Sequence, residues 1–251
     1  MSATIKENDA WVRRYHPIGR PGVRLVCFPH AGGSASFYRP MSAALAGAVD
    51  VMALQYPGRQ DRRTTPCVGS VDELAEQILE ALRPWADEPF AFFGHSMGAV
   101  LAYEVARRME QRHLPSPVRL IVSGRRAPTR RRPPRVHLLD DDGIVAELRA
   151  LSGSDPRVLG DEEMLRMILP AVRSDYAAIE TYVCADPAPV SCPVTVLTGD
   201  RDPQVSLDDA REWQSHARGG FSMHILRGGH FFLMEQPDEV IRIVRESLVG
   251  R

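Results

Sequence analysis

Apolar residues along the chain occur in short runs that are separated by amphipathic stretches. The runs of strand length cover residues 23–28, 50–55, 90–94, 119–123, 194–198 and 222–226. Several of them are nearly continuous rather than alternating, which is typical of strands that are covered on both faces. The pattern therefore predicts the buried strands of a mostly parallel sheet.

Helical spacing of apolar residues fills the stretches between these runs. The clearest helix is predicted over residues 71–83, where Ser70 and Glu73 form a capping box and Pro84 ends the pattern. Its apolar face consists of Val71, Leu74, Ile78 and Leu82. Similar spacing predicts helices at residues 97–111, 207–216 and 238–248. The alternation of strands and helices predicts an α/β fold with a mostly parallel, doubly wound sheet.

One stretch breaks this alternation. Residues 125–190 contain no strong strand pattern, and their first part, 125–135, holds six arginines and three prolines. Helical patterns follow at residues 140–151 and 161–182, and Pro170 interrupts the second of them. We interpret residues 125–190 as a helical lid that is inserted into a single domain spanning residues 1–251.

The composition narrows the class of protein. Of the 251 residues, 44% are hydrophobic and 25% are charged, as in an ordinary soluble globular protein. The longest apolar stretches are far shorter than the roughly 20 residues of a membrane span. The net charge of −1 creates no field that would attract nucleic acid or an anionic membrane. We therefore expect neither a nucleic-acid nor a membrane partner.

The cysteines and the N-terminal segment bear on the cellular compartment. Cys27, Cys67, Cys184 and Cys192 form no C-x-x-C pair and no His/Cys cluster, so the sequence suggests neither a zinc site nor a redox dithiol. The first 14 residues are polar and charged and lack the apolar core of a secretion signal. Both features predict a cytoplasmic protein with reduced thiols.

Ser96 is the candidate nucleophile. It lies in the sequence G-H-S-M-G at residues 94–98, which places a G-x-S-x-G pattern between a predicted strand and a predicted helix. A serine on such a strained turn needs glycine neighbours if its hydroxyl is to project from the edge of the sheet. A hydroxyl in this position becomes a nucleophile when a histidine accepts its proton.

The acid and the base are expected later in the chain, in the order serine, acid, histidine. Asp200 and Asp202 both follow the fifth predicted strand and compete for the role of the acid. We favour Asp202, because the first acidic position after a strand more often forms a turn or caps a helix. His230 follows the last predicted strand and a flexible Gly-Gly pair, and we favour it as the base. The alternatives are His216, on a helical pattern, and His224, inside a strand.

An acyl-transfer site also needs backbone amides that face the developing oxyanion, at about 3 kcal/mol for each donor. Met97, directly after the serine, supplies one of them. We assign the second to Ala31, in the Gly-rich loop P-H-A-G-G-S at residues 29–34. The alternative is that the glycines of this loop only form a turn.

Five motifs together are shared by fewer families of proteins than G-x-S-x-G alone. They are F-P-H-A-G-G at residues 28–33, Y-P-G-R at 56–59, G-H-S-M-G-A at 94–99, G-D-R-D at 199–202 and G-H-F-F at 229–232. This combination resembles the type II thioesterases, which are free-standing α/β-hydrolases associated with polyketide synthases and nonribosomal peptide synthetases. The resemblance extends from about Phe28 to the final helix.

The resemblance implies a reaction and its partners. The family hydrolyses acyl or aminoacyl thioesters on the phosphopantetheine arm of an acyl- or peptidyl-carrier protein, and so clears stalled or wrongly loaded chains. By this resemblance Ser96 attacks the thioester carbonyl, His230 is the base and Asp202 orients the imidazole. The amides of Ala31 and Met97 bind the oxyanion. No cofactor and no metal is implied.

The resemblance also implies a mobile lid over an acyl channel. Five apolar residues either line that channel or pack the lid onto the core: Met164, Leu165, Met167, Ile168 and Leu169. The arginines of residues 125–135 either form a solvated loop or attract the acidic face of a carrier protein or the pantetheine phosphate. Activity on a carrier-bound substrate that survived charge reversal at residues 130–132 would reject the second interpretation. We assign Arg59 no chemical role.

The same residues would serve other functions. A medium-chain fatty acyl thioesterase that works with a fatty acid synthase is one alternative, and an esterase or peptidase of the same fold is another. A third is a binding module that keeps the hydrolase fold without turnover. A serine-reactive fluorophosphonate distinguishes this last case, because a pure binding module does not become labelled at Ser96.

Overall fold

A seven-stranded sheet forms the centre of the structure, a computed structural model that describes residues 10–249 apart from 20–21, 87, 134 and 152–160. The strands are β1 (Val12–Arg13), β2 (Arg24–Phe28), β3 (Asp50–Leu54), β4 (Phe90–His95), β5 (Leu120–Ser123), β6 (Val194–Gly199) and β7 (Phe221–Leu226). Their order across the sheet is β1-β3-β2-β4-β5-β6-β7. All neighbours are parallel except β1, which is antiparallel to β3. The predicted α/β class is confirmed.

Helices connect the strands. They are α1 (Arg39–Ala44), α2 (Val71–Leu82), α3 (Met97–Gln111), α4 (Asp141–Leu151), α5 (Glu162–Thr181), α6 (Leu207–Arg211), α7 (Phe232–Glu235) and α8 (Pro237–Val249). Short 3₁₀ turns occur at Ala35–Tyr38, Gln60–Arg62, Arg83–Trp85, Val136–Leu138 and Glu212–His216. No helix within the described ranges is both long enough and apolar enough to cross a membrane.

Both faces of the sheet are buried, which explains why the strand runs are nearly continuous. Successive residues of a strand point to opposite faces. On β2, Val26 and Phe28 belong to the apolar cluster that includes α2 and α3. Leu25 and Cys27 belong to a second cluster that includes residues of α1 and α8. The sheet is therefore covered by helices on both sides, as the doubly wound prediction requires.

The strand predictions agree with the structure to within one residue at each end. The predicted helix at 71–83 ends at Leu82, and the Ser70 hydroxyl accepts a hydrogen bond from the Glu73 amide at 3.4 Å. The predicted helix at 207–216 is α6 followed by a 3₁₀ turn. Strand β1 and helices α1 and α7 are absent from the predictions, because two to six residues are too few to show a hydrophobic period.

Residues 125–190 contribute α4 and α5, between strands β5 and β6. A separate apolar cluster joins these helices to the Val136–Leu138 turn, and its buried members are Val136, Ile144, Val145, Leu148, Leu169 and Val172. The predicted interruption at Pro170 is wrong, because α5 continues through it. Pro170 is exposed, so water can satisfy the carbonyl that loses its helical partner. Residues 152–160 of the predicted lid and residues 1–9 of the N-terminal segment lie outside the described residues.

Candidate active site

Ser96 lies on a tight turn between β4 and α3. Its backbone angles are φ 54° and ψ −116°, a strained conformation for a residue with a side chain. A Cβ atom at Gly94 would lie 2.2 Å from the carbonyl oxygen of Gly98, and one at Gly98 would lie 2.0 Å from that of Phe28. Both glycines of the motif are therefore required by close backbone packing. The Ser96 amide donates to the Ser123 carbonyl at 2.8 Å, which ties the turn to β5.

The turn brings Ser96 to an imidazole that a carboxylate orients. The Ser96 Oγ lies 3.1 Å from Nε2 of His230, and Nδ1 of His230 lies 2.9 Å from Oδ2 of Asp202. A carboxylate only accepts hydrogen bonds, so Nδ1 carries the ring proton and Nε2 accepts from the serine. The side chain of His230 is 5% exposed and that of Asp202 is fully buried, which shields the contact between them from water. The structure thus joins the three predicted residues in one hydrogen-bonded chain.

The alternatives weighed from the sequence lie elsewhere. Asp200 accepts the Gly228 amide at 2.9 Å, so it stabilises the turn before His230 and does not reach the imidazole. That bond is the main reason why the pKa of Asp200 is below its usual value. His216 is buried and contacts the hydroxyl of Tyr103 at 3.2 Å. His224 lies within β7 and forms no contact with Ser96 among the described residues.

Two further histidines lie beside His230, and neither was assigned a role from the sequence. His95 is fully buried, with its ring 5.1 Å from that of His230 and its Nδ1 3.0 Å from the Ser123 hydroxyl. Burial, with the nearby His230 and His30, lowers its pKa well below the usual value. Burial also lowers the pKa of His30 to about 3, and His230 and Arg59 act in the same direction. Both rings are therefore neutral near pH 7.

The two amides assigned to the oxyanion have different neighbours. Ala31 lines the same pocket as Ser96 and His230, and Met97 is the first residue of α3. Within the described part of the chain neither amide donates to a protein acceptor, whereas the next two amides of the loop, Gly32 and Gly33, do. The amides at a helix start lack helical partners and favour negative charge. Both amides thus remain free to bind a ligand oxygen.

A buried ion pair anchors the loop that carries Ala31. The Gly32 amide donates to Oδ2 of Asp175, on α5, at 2.7 Å. The same carboxylate oxygen accepts from the guanidinium of Arg59, which also donates to the carbonyl of Pro57. The prediction gave Arg59 no chemical role, and the signal that could have found it was the Y-P-G-R motif itself. The pair connects the loop, the motif and α5 at one point.

The pocket at Ser96 has a volume of about 80 Å³. It is lined by the nucleophile loop, by the loop at residues 30–32 and by residues of α4 and α5. Of the five apolar residues weighed for this role, Ile168 lines the pocket and Leu169 packs in the cluster between the helices. Met164 and Met167 are 41% and 55% exposed. Leu165 and Ile168 also pack against this cluster, so the packing interpretation applies to three of the five residues, and an acyl channel stays a prediction.

Five of the six arginines of residues 125–135 fall into two sets. Arg130, Arg132 and Arg135 form ion pairs with Glu212, Asp209 and Glu147. Arg125 and Arg126 line the pocket at Ser96 and also a larger adjoining cleft of about 630 Å³. The sequence alone did not distinguish the two sets, because both belong to one Arg/Pro-rich segment.

The strand order, the serine on a strained turn after a central strand and the histidine from the last strand's loop define the class of the α/β-hydrolases. Residues 23–248 match the model of the thioesterase domain family, and the chain belongs to that family. It is a thioester hydrolase.

Individual relatives and a solved structure support this assignment. The chain is 53% identical over 238 residues to the "Probable cadicidin biosynthesis thioesterase" of Streptomyces griseus, covering 95% of this chain and 66% of that protein. It is 49% identical to thioesterase PikA5 of Streptomyces venezuelae, covering 97% of this chain and 87% of that one. The structure of the type II thioesterase BorB, from the borrelidin biosynthetic cluster, superimposes with a TM-score of 0.90 at 49% identity, covering 96% of this chain and 98% of that chain. The resemblance to type II thioesterases is confirmed.

Proposed function

We propose that this thioesterase removes acyl or aminoacyl groups from the phosphopantetheine arm of acyl- or peptidyl-carrier proteins in polyketide or nonribosomal peptide synthesis. Its substrates are chains that are stalled or wrongly loaded. The observation that carries the proposal is the hydrogen-bonded chain from Ser96 through His230 to Asp202 at the pocket. The name of the Streptomyces griseus relative, which refers to cadicidin biosynthesis, and the borrelidin biosynthetic cluster of BorB support the choice of substrate.

In the first step the Ser96 oxygen attacks the thioester carbonyl while Nε2 of His230 accepts the hydroxyl proton. Asp202 stabilises the imidazolium that forms, because its carboxylate faces Nδ1 at 2.9 Å. The carbonyl oxygen becomes an oxyanion and binds the free amides of Ala31 and Met97. The intermediate collapses, the carbon–sulfur bond breaks, and the pantetheine thiol leaves with the proton from His230.

In the second step water hydrolyses the acyl-serine. His230 accepts a proton from the water, the hydroxide attacks the ester carbonyl, and the same two amides bind the oxyanion. The proton then returns to the Ser96 oxygen as the acid is released. His30 and His95 stay neutral beside His230, so neither places a repelling charge against the imidazolium.

The size of the pocket favours short acyl groups. A water molecule needs roughly 10–15 Å³ of such space, so the 80 Å³ at Ser96 suits a group of a few heavy atoms. Acetyl and propionyl groups are of this size, whereas a medium-chain fatty acyl group is several times longer. A chain of that length would have to extend out of the pocket into the adjoining cleft of about 630 Å³.

The test compares three substrates: a propionyl group on a phosphopantetheinylated carrier protein, propionyl-CoA and a p-nitrophenyl ester. We expect the carrier-bound thioester to be hydrolysed fastest, and Ser96→Ala to lose about 10⁴-fold or more in kcat. Faster turnover of the free ester would indicate a general esterase. A folded wild-type protein that turned over none of the three and resisted fluorophosphonate labelling would indicate a binding module.

The partner protein and the cellular location are predicted on different grounds. We propose an acyl- or peptidyl-carrier protein as the partner because a phosphopantetheine thioester is presented only on such a protein or on coenzyme A. A cytoplasmic location follows from the sequence features given above and from no structural feature. Among the described residues, no group of three or more His, Cys, Asp or Glu side chains is arranged to hold a metal ion, and the proposed steps use none.

A further inference from the structure

Two arginines beside Ser96 are buried without a counter-charge. Arg126 is 7% exposed, and Arg125 is partly buried. Neither forms an ion pair with a carboxylate among the described residues, in contrast to the buried Arg59 and Arg107. Within the part of the chain that the structure describes, the one side-chain hydrogen bond of the two is from Arg126 to the Gln204 carbonyl, at 3.1 Å, and the buried Nε atoms of both have no acceptor.

The carboxylates that face this pair are engaged elsewhere. Glu180 accepts the amides of Val136 and His137 and the His137 ring. Asp202 accepts from His230 and from the Gln204 amide. The remaining facing acid is Asp209, whose carboxylate lies 3.9 Å from Arg132. The aromatic hydroxyls of Tyr176 and Tyr182 also face Arg125. Within the described residues these acids act on the two guanidinium groups only from a distance, and none forms an ion pair with either of them.

Both guanidinium groups are charged near neutral pH even so. Burial, together with the adjacent Arg126, lowers the pKa of Arg125 only to about 9. Burial of a charged group without a partner costs free energy, and proteins keep such groups where they serve a ligand. The two positive charges therefore lie at the pocket at a cost that the acids facing them offset only in part.

The backbone at this point is fixed rather than adaptable. The Gly124 amide donates to the Leu197 carbonyl at 2.9 Å, and the Arg125 carbonyl accepts from the indole of Trp213 at 2.8 Å. The Ala127 amide donates to the Asp209 backbone carbonyl at 3.1 Å. Rigid support of this kind is what a preorganised binding group requires.

The two arginines lie where the pocket and the cleft meet. Both line the pocket that contains Ser96, and both line the adjoining cleft. When a thioester enters through this cleft and its carbonyl reaches Ser96, either its acyl chain or its pantetheine arm lies beside the two arginines. An anionic group of the substrate is the ligand that a pair of guanidinium groups binds best, through charge-assisted hydrogen bonds.

We propose that Arg125 and Arg126 form an anion subsite of the catalytic pocket, which binds a negatively charged oxygen group of the thioester substrate. The group is either a carboxylate on the acyl chain or the phosphate of the pantetheine arm. This inference rests on the proposed function, because it assumes that a thioester is cleaved at Ser96. It assigns the recognition role to the two arginines of the segment that line the pocket at Ser96, not to the paired Arg130, Arg132 and Arg135 or to Arg131, which lines only the adjoining cleft.

The experiment compares three small thioesters that need no carrier protein. Propionyl-pantetheine carries no negative charge, propionyl-4′-phosphopantetheine carries the phosphate, and malonyl-pantetheine carries the carboxylate. Each is measured with the wild type, Arg125→Gln and Arg126→Gln, and with Arg211→Gln as a control. Arg211 is an exposed residue of α6 paired with Asp208, so its substitution changes the net charge equally.

We expect kcat/KM for one of the two anionic substrates to fall by about tenfold or more in Arg126→Gln, mainly through KM. Propionyl-pantetheine changes less than about twofold, and the control variant changes none of the three. The phosphate is the ligand if the phosphopantetheine substrate responds, and the acyl carboxylate is the ligand if the malonyl substrate responds.

Equal losses on all three substrates would overturn the subsite, because they indicate a structural role. Unchanged kinetics for both anionic substrates in both variants would overturn it as well. If the folded wild type hydrolyses none of the three, its activity on the propionyl carrier protein decides whether the proposed function fails. The subsite is then tested by binding of the same thioesters to Ser96→Ala, where an anionic thioester must bind more tightly than the neutral one and lose that advantage in Ser96→Ala/Arg126→Gln.

Discussion

Arg59 and Arg126 are both buried close to the catalytic pocket, at 8% and 7% exposure, yet their surroundings differ. Arg59 has a carboxylate partner, Asp175, which also accepts the Gly32 amide. Among the described residues the side chain of Arg126 has only a backbone carbonyl as a hydrogen-bond acceptor, and acids around it accept hydrogen bonds from other donors. A buried charge with its partner supports structure, whereas one without a partner is available to a ligand. The presence or absence of a carboxylate partner thus distinguishes Arg59, which positions a loop, from Arg126, which we propose binds a ligand.

The largest effect is expected when Asp175 is replaced by asparagine. This change leaves the charge of Arg59 buried and unpaired, so the free energy of unfolding should fall by about 3–5 kcal/mol. Urea denaturation measures the loss. Asp141→Asn is the matched control, because Asp141 pairs with Arg173 at the surface and exposed pairs contribute about 1 kcal/mol or less. Equal losses in the two variants would contradict the structural role of the Arg59 pair.

A second variant distinguishes the effect of the Arg59–Asp175 pair on stability from its effect on the position of the Ala31 loop. The double variant Arg59→Met/Asp175→Leu removes both charges, so its free energy of unfolding should exceed that of Asp175→Asn by more than about 1 kcal/mol. Its kcat should nevertheless stay below that of the wild type, because the Gly32 amide has lost the acceptor that fixes the Ala31 loop. Full recovery of kcat would show that the pair does not position the loop.

Arg126→Gln should change the free energy of unfolding less than Asp175→Asn does. The arginine has no carboxylate partner to leave unpaired, so the free energy of unfolding should change by no more than about 1 kcal/mol, in either direction. The same denaturation experiment measures it beside Asp175→Asn. A loss as large as that of Asp175→Asn would remove the contrast between the two arginines.

The smallest expected effect is on how the free energy of unfolding depends on pH. The pKa of His30 is about 3 in the folded protein, below its ordinary value of 6.5, so the unfolded chain binds more protons between these values. Stability is therefore present above about pH 6.5 and falls as the pH drops from 6.5 towards 3. Arg59 contributes to this low pKa, after burial and His230. As the pH approaches 3, the loss of stability should thus be slightly shallower in Arg59→Met/Asp175→Leu and unchanged in Arg126→Gln.

A steeper acid loss in the double variant would contradict this account, since removal of the Arg59 charge should make His30 easier to protonate. The comparison uses the change of free energy with pH, not its absolute value, so the different stabilities of the variants do not affect it. The double variant is used because a lone Asp175 would titrate in its own right.

In residues 125–190 the sequence predicted the helices but not the role of each apolar residue. Residues 140–151 and 161–182 were predicted as helices, and α4 and α5 agree with them apart from the continuity across Pro170. The periodicity of apolar residues carries that information locally. The division of the apolar residues between pocket and packing was left open, because Ile168 and Leu169 are neighbours in sequence and differ only in what faces them.

The sequence by itself determined the strand runs, the glycines around Ser96 and the order of serine, acid and histidine, because each depends on residue type and local spacing. The choice between Asp200 and Asp202 was argued from turn chemistry, and the structure places Asp202 at His230. Only the tertiary structure decided which arginines have partners. Asp175 is 116 residues from Arg59, and no local pattern brings the two together. Pairing of buried charges depends on three-dimensional neighbours, and this is why one Arg-rich segment contains both solvated ion pairs and an open anion subsite.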